Sequence, residues 1–265
     1  MVLDLSAVSL DGRVAVVTGA ARGIGEVTAL ALAAFGADLV VCDRDALGIE
    51  RTAGQIGALG RRVLARTMDV RDPDAVRALA TDVAHDFGHL DVVVNNAGGT
   101  FFAPFMEISP KGQAALVDEN FTSVTHVVRA FVPLMRDGGS VVNITSVEAF
   151  RAAPGFAIYA AMKAAVEQLT RTLALELAPR IRVNCIAPDA IPTPGDAGLA
   201  ARVGRADYAW KIPLGTGTPD DCAGAVVFLA SRLARFVTGT TVHVDGGSHA
   251  ASGWRRRSPD EPYEP

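Results

Sequence analysis

The sequence predicts an α/β fold: one doubly wound domain over residues 1–265, with a parallel sheet of seven strands and helices on both faces. Three observations carry this. Short runs rich in β-branched residues alternate with amphipathic stretches of helical spacing, the pattern of parallel strands joined by right-handed helical crossovers. Several of those runs are apolar throughout, as strands covered on both faces must be. The first run passes straight into a glycine-rich turn that opens a helix.

In chain order the strand candidates are "RVAVVT" (13–18), "ADLVVC" (37–42), "RRVLARTMDV" (61–70), "LDVVVN" (90–95), "GSVVNIT" (139–145), "IRVNCIA" (181–187) and "TTVHVDG" (240–246). Between them lie "EVTALALAAF" (26–35), "PDAVRALATDVAHDF" (73–87), an apolar helix over 111–135, and "AAVEQLTRTLALEL" (164–177). Two regions break the alternation. Residues 188–218 are rich in Pro and Gly and too long for a simple connection, which marks a lid or binding loop, with Trp210 as its cover. From Ser248 to Pro265 the chain is a polar, Pro-containing tail.

Composition narrows the function. Apolar residues make up 49% and charged residues 20%, which suits a large core. A net charge of −4 leaves no basic footprint for nucleic acid, and "RRR" at 255–257 reads as a solvated end. No apolar run reaches the roughly 18 residues of a membrane span, and the first residues lack the features of a secretory leader. Cys42, Cys185 and Cys222 are odd in number and far apart, as expected of reduced, buried thiols in a cytoplasmic protein. His85, His89, His126, His243 and His249 show no ligand spacing, so no metal site is expected.

The turn "TGAARGIG" (18–25) places Gly19, Gly23 and Gly25 between a strand and a helix. Bare backbone there can approach a pyrophosphate, and the helix N-terminus offers free N–H groups and a positive dipole end. Glycines also serve ordinary bends, so the residue ending the second strand matters. It is Asp43, 18 positions after Gly25. A carboxylate there accepts hydrogen bonds from a ribose diol and repels a 2′-phosphate; its other reading is a cap for the following helix. Further on, "YAAMK" (159–163) sets one of three tyrosines and one of three lysines on a single helix face. Alone, that pair reads equally well as an exposed lysine beside a half-buried tyrosine.

The spacing G-x-x-x-G-x-G differs from the ordinary dinucleotide fingerprint. Together with the motifs downstream of this turn, it makes the chain resemble the short-chain dehydrogenase/reductase family, of Rossmann-type fold, over essentially its whole length. Asp69 and Val70 stand where that family's third strand meets the adenine, and "NNAG" (95–98) comes after the fourth strand. Asn120, Ser146, Tyr159 and Lys163 fall in the order and spacing of the family's catalytic tetrad, with Ser and Tyr 13 positions apart. Pro188 matches the proline after strand six. The resemblance implies cofactor contacts from Gly19, Arg22, Gly23, Ile24, Gly25, Asp43, Asp69, Val70, Asn96, Ala97, Gly98, Tyr159, Lys163, Pro188, Ile191 and Thr193. The chain departs from the family at Pro188-Asp189, where Pro-Gly is usual, and it carries extra prolines at 192 and 194.

These residue types suit proton and hydride transfer. A free tyrosine, with a pKa of about 10, is a poor base at neutral pH. A neighbouring ammonium and an oxidised nicotinamide would favour its phenolate, and lowering the pKa by ~3 units takes ~4 kcal/mol. Tyr159 is then the general acid/base, and Ser146 hydrogen-bonds the reacting oxygen. By resemblance, Asn120 holds a water that links Lys163 to solvent. Phe101, Phe102, Phe105, Phe150 and Phe156 flank the site in sequence, either as core or as an apolar substrate wall. Glu148 and Arg151 stand either on the surface or against a polar end of the substrate.

The expected function is therefore NAD(H)-dependent interconversion of a mostly apolar secondary alcohol and its ketone, with NADP less favoured. One alternative is an NADPH-dependent 3-oxoacyl thioester reductase, against which Asp43 argues. Another is a cofactor-binding regulator without turnover, against which the complete tetrad argues. Enoyl reductases of the superfamily separate Tyr and Lys by six residues, unlike the four-residue step here. The resemblance also implies a homo-oligomer, dimer or tetramer, built on helices 111–135 and 157–178.

Overall fold

The computed structural model describes residues 4–194, 212–254, 261–262 and 264. Among them, seven strands form one sheet: β1 (Val14–Thr18), β2 (Asp38–Asp43), β3 (Val63–Thr67), β4 (Leu90–Asn95), β5 (Met135–Ile144), β6 (Ile181–Pro188) and β7 (Thr241–Val244). Their spatial order is β3-β2-β1-β4-β5-β6-β7, with every neighbouring pair parallel. The order reverses at β1, which pairs with β2 on one side and β4 on the other. A crevice opens at such a switch point, beyond the carboxyl ends of the strands.

The unbroken apolar runs follow from burial on both faces. Ala15, Val17, Leu39, Val41, Val92 and Val94 point into one core, where they meet helices α1 (Gly23–Ala34), α2 (Ala46–Ala58) and α7 (Pro219–Ala230). Val14, Val16, Val40, Cys42 and Val93 point into the other, against α3 (Pro73–Asp86), α5 (Ser123–Phe131) and α6 (Ala157–Glu176). Successive strand residues alternate between two apolar layers, so no polar alternation survives in the sequence.

Local chemistry sets the helix starts. Asp45 accepts from the Gly48 N–H at α2, Asp72 caps α3 ahead of Pro73, and Asp221 accepts from the Thr218 N–H at α7. The helix expected over 111–135 is instead composite. It comprises α4 (Pro110–Val117), a π-helical turn over Asp118–Thr122, α5, and a 3₁₀ turn at Val132–Leu134. Pro133 cannot continue an α-helix, and Met135 already belongs to β5. The third strand is also shorter than the candidate 61–70, because the chain turns where the Arg71 N–H donates to Asp69. In the predicted lid, residues 195–211 with Trp210 lie outside the described residues, as does "RRR" at 255–257.

Candidate active site

The floor of the crevice is made where the ends of β1 and β4 are tied together. The Thr18 hydroxyl accepts from the N–H groups of Asn96 and Ala97 at 3.1 and 3.0 Å. The Asn96 side chain donates back to the carbonyls of Thr18 and Gly19, each at 3.0 Å. A Cβ on Gly25 would lie 2.1 Å from the Gly19 oxygen and 2.4 Å from Asn96 Nδ2, so this position admits only glycine. Arg22 is exposed at the mouth of α1, and Ile24 is half-buried. The result is a backbone cradle at a helix N-terminus, and this donor set fits a dinucleotide pyrophosphate.

Asp43 stands beside the cradle, fixed by two amides: Ala21 N–H donates to one carboxylate oxygen at 3.1 Å and Asp45 N–H to the other at 3.0 Å. It is thus joined to the glycine-rich turn, and the helix cap is the neighbouring Asp45. Asp69 is held by a bidentate Arg71, which keeps its carboxyl below the usual range. Val70 is buried in the core beneath.

The tetrad positions converge on the ends of β4 and β5. Ser146 lies two residues beyond β5 and caps the turn Val147–Ala149, buried, with its hydroxyl accepting from the Glu148 N–H at 3.2 Å. Tyr159 and Lys163 lie one turn apart on α6, with Lys163 Nζ 5.6 Å from the Tyr159 ring centre. The Lys163 ammonium donates to the Ile144 carbonyl at 3.0 Å, and the Thr145 hydroxyl donates to the Lys163 carbonyl at 2.7 Å. Burial lowers the Lys163 pKa to about 8, so the ammonium form still dominates at neutral pH. Asn120 sits in the π-helical turn, fully buried. It donates to the carbonyls of Gly99 and Leu116 and accepts from the Gly99 N–H. Gly98 lies between Asn120 and Lys163: a Cβ there would stand 3.0 Å from Asn120 Oδ1 and 3.3 Å from Lys163 Nζ.

At the other end of the crevice, Pro188 closes β6 and Thr193 lies against Gly23. The Ile191 side chain is packed into the core, which leaves only its backbone to face a cofactor. The left-handed residue here is Ala190, at φ 50°, and not Asp189 in the family's glycine position. Phe102 meets Phe156 edge-on at 5.5 Å, and Phe150 packs on His243 and His249. Phe101 and Phe105 are exposed. Arg151 is neither a surface charge nor an open anchor, because its guanidinium donates to Glu148, Asp189 and Ser248. Sequence reasoning missed Thr18, Thr145 and Ser248. A threonine directly before the first glycine was the available signal for Thr18.

A parallel sheet with this switch point, a bare cradle opening α1 and an acid ending β2 fit a dinucleotide-binding fold. Residues 19–249 match the family model described as enoyl-(acyl carrier protein) reductase. The chain is 42% identical over 252 residues to an uncharacterized oxidoreductase of Mycobacterium tuberculosis, covering 93% of this chain and 95% of that one. It superposes on a 7α-hydroxysteroid dehydrogenase complexed with NADH and 7-oxo glycochenodeoxycholic acid with a TM-score of 0.89 at 32% identity, covering 93% and 98% of the two chains. A short chain dehydrogenase from Burkholderia cenocepacia in complex with NADP gives 0.84 at 35% identity, covering 90% and 98%. The chain belongs to the short-chain dehydrogenase/reductase family of oxidoreductases.

Proposed function

We propose that this protein interconverts a mostly apolar secondary alcohol and its ketone, with NAD(H) preferred over NADP(H). The observation that carries the reading is the buried Lys163 ammonium, one helical turn from Tyr159 and next to the strand end that delivers Ser146. When bound, the nicotinamide accepts or supplies the hydride. The chain's own residues manage the proton and the charge. Lys163 favours the Tyr159 phenolate, which takes the substrate hydroxyl proton in oxidation and returns it in reduction. Ser146 donates a hydrogen bond to the same oxygen and steadies its developing charge. Asn120 keeps a water path to Lys163, for which the π-helical turn supplies irregular backbone.

Asp43 supports NAD(H), because its carboxylate would face a 2′-phosphate, and such like-charge juxtaposition costs several kcal/mol. Phe102 and Phe156 support an apolar substrate. Among the described residues no helix is long and apolar enough to cross a membrane. Assembly as a homo-oligomer through α4–α5 and α6 completes the reading, with light scattering as its check.

The test is a panel of secondary alcohols and ketones assayed at 340 nm with both cofactors, beside Tyr159→Phe. Turnover by the wild type, with kcat/KM higher for NAD(H), is expected. A higher kcat/KM with NADP(H) on the best substrate refutes the role given to Asp43.

A further inference from the structure

Three segments that are distant in the chain meet beside Ser146. The first is the turn after β5, from Ser146 to Arg151. The second is the end of β6, from Pro188 to Ala190, and the third comes after β7, from Asp245 into the short helix α8 (Ser248–Ala251). Arg151 joins all three: it donates to Glu148 Oε1 at 3.1 Å, Asp189 Oδ2 at 3.0 Å and Ser248 Oγ at 2.8 Å. The Ser248 hydroxyl donates to the same Asp189 oxygen at 2.6 Å, and the other Asp189 oxygen accepts from the left-handed Ala190 at 2.9 Å. The Asp189 side chain is only 4% exposed. A second staple runs alongside. His243 and His249 stack face to face at 4.1 Å, and Phe150 meets their rings at 4.8 and 5.5 Å.

A helix of four residues cannot hold itself, so contacts outside it must place α8. Asp245 accepts from the N–H groups of Gly247 and His249, which shapes the turn. Beside the ring stack and the Leu214 N–H that donates to the Gly246 carbonyl at 3.0 Å, the charge-assisted cluster on Asp189 ties that turn to the ends of β5 and β6. The family glycine at this position could supply none of it.

We propose that Asp189 is a positioning residue that acts through Arg151 and Ser248. It locks the segment after β7 against the turn carrying Ser146. That segment becomes a fixed wall on the substrate side, and it sets how large a substrate reaches the reacting centre. The proposal rests on the roles given above to Ser146 and Tyr159.

The test uses the full-length protein with Asp189→Asn, which keeps volume and loses charge, and with Ser248→Ala. Loss of a buried charge-assisted bond should speed amide exchange in residues 146–151 and 245–251 by about tenfold or more. KM for cyclohexanone should rise by about tenfold, with kcat within about threefold. The ratio of kcat/KM for a bulky polycyclic ketone over cyclohexanone should increase. A purely structural brace would instead scale every ketone alike. Wild-type exchange rates in both segments of a folded variant, or one uniform factor across all ketones, overturn the proposal. If Asp189→Asn does not fold, Ser248→Ala carries both readouts. A wild type inactive on the whole panel with either cofactor would overturn the functional reading and the wall together. An active wild type with an unchanged substrate profile in the variants would overturn the wall alone.

Discussion

Lys163 is fully enclosed, bonded to the Ile144 carbonyl and close to both Asn120 and the Tyr159 ring. A compact ammonium fits this pocket; a planar guanidinium is broader and presents its donors in a fixed fork. Lys163→Arg therefore tests whether charge alone suffices. Displacement of the cation by ~1 Å is expected to lower kcat on the order of 100-fold at saturating NAD, approaching Tyr159→Phe. Thermal melts would check that both variants fold. A folded Lys163→Arg enzyme within about threefold of wild type would make the lysine a bystander.

At the scale of an element, the glycine-rich turn is set by its contact with another loop. Gly25 leaves no room for a methyl group against the Gly19 carbonyl and the Asn96 side-chain amide, which donates to that carbonyl and to the Thr18 carbonyl. Gly25→Ala must push the β1 and β4 loops apart, at a cost of about 1–3 kcal/mol. The cradle should widen with them. Wild-type Tm is expected to rise on adding NAD, by mass action, whereas the Gly25→Ala melt should be lower and nearly unresponsive to NAD.

At the scale of the molecule, the two ends of the sheet do different work. At the amino ends, Asp91 is buried, accepts from the Val14 N–H at 2.9 Å and is forked by Arg136 at 2.7 and 2.8 Å. Asp91→Ala would leave the buried Val14 N–H unpaired, while the half-exposed Arg136 can turn to water, and should cost about 1–3 kcal/mol in urea unfolding, with kcat nearly unchanged because the crevice lies at the opposite ends. At the carboxyl ends, burial first and the stacked His249 second hold the His243 pKa below its ordinary 6.5, while Asp245 opposes them. The unfolded chain then binds a proton at a higher pH than the folded protein does. Stability is lost as pH falls through about 6.5, and His243 adds no pH dependence well above it. Between pH 7.5 and 5.5 the wild type should lose more urea stability than His243→Gln.

The sequence by itself determined the elements whose signals are local. Strands buried on both faces had to be apolar throughout, so β1, β2 and β4 were legible to within a residue. The glycine turn, Asp43 and the four-residue step from Tyr159 to Lys163 were legible because each depends on spacing within one or two elements. Only the tertiary structure decided what joins distant segments. Asn120 falls within the continuous helix expected over 111–135, yet a π-helical turn buries it against Gly99. The departure from Pro-Gly at Pro188-Asp189 was legible, but only the structure shows that the left-handed residue is Ala190 and that Asp189 serves as an acceptor. Arg151, Asp189 and Ser248 carry no shared periodicity or motif, since hydrogen bonds across the ends of parallel strands leave no pattern along the chain. Their meeting follows from the order of β5, β6 and β7 in the sheet, which places three loops side by side at one edge of the crevice.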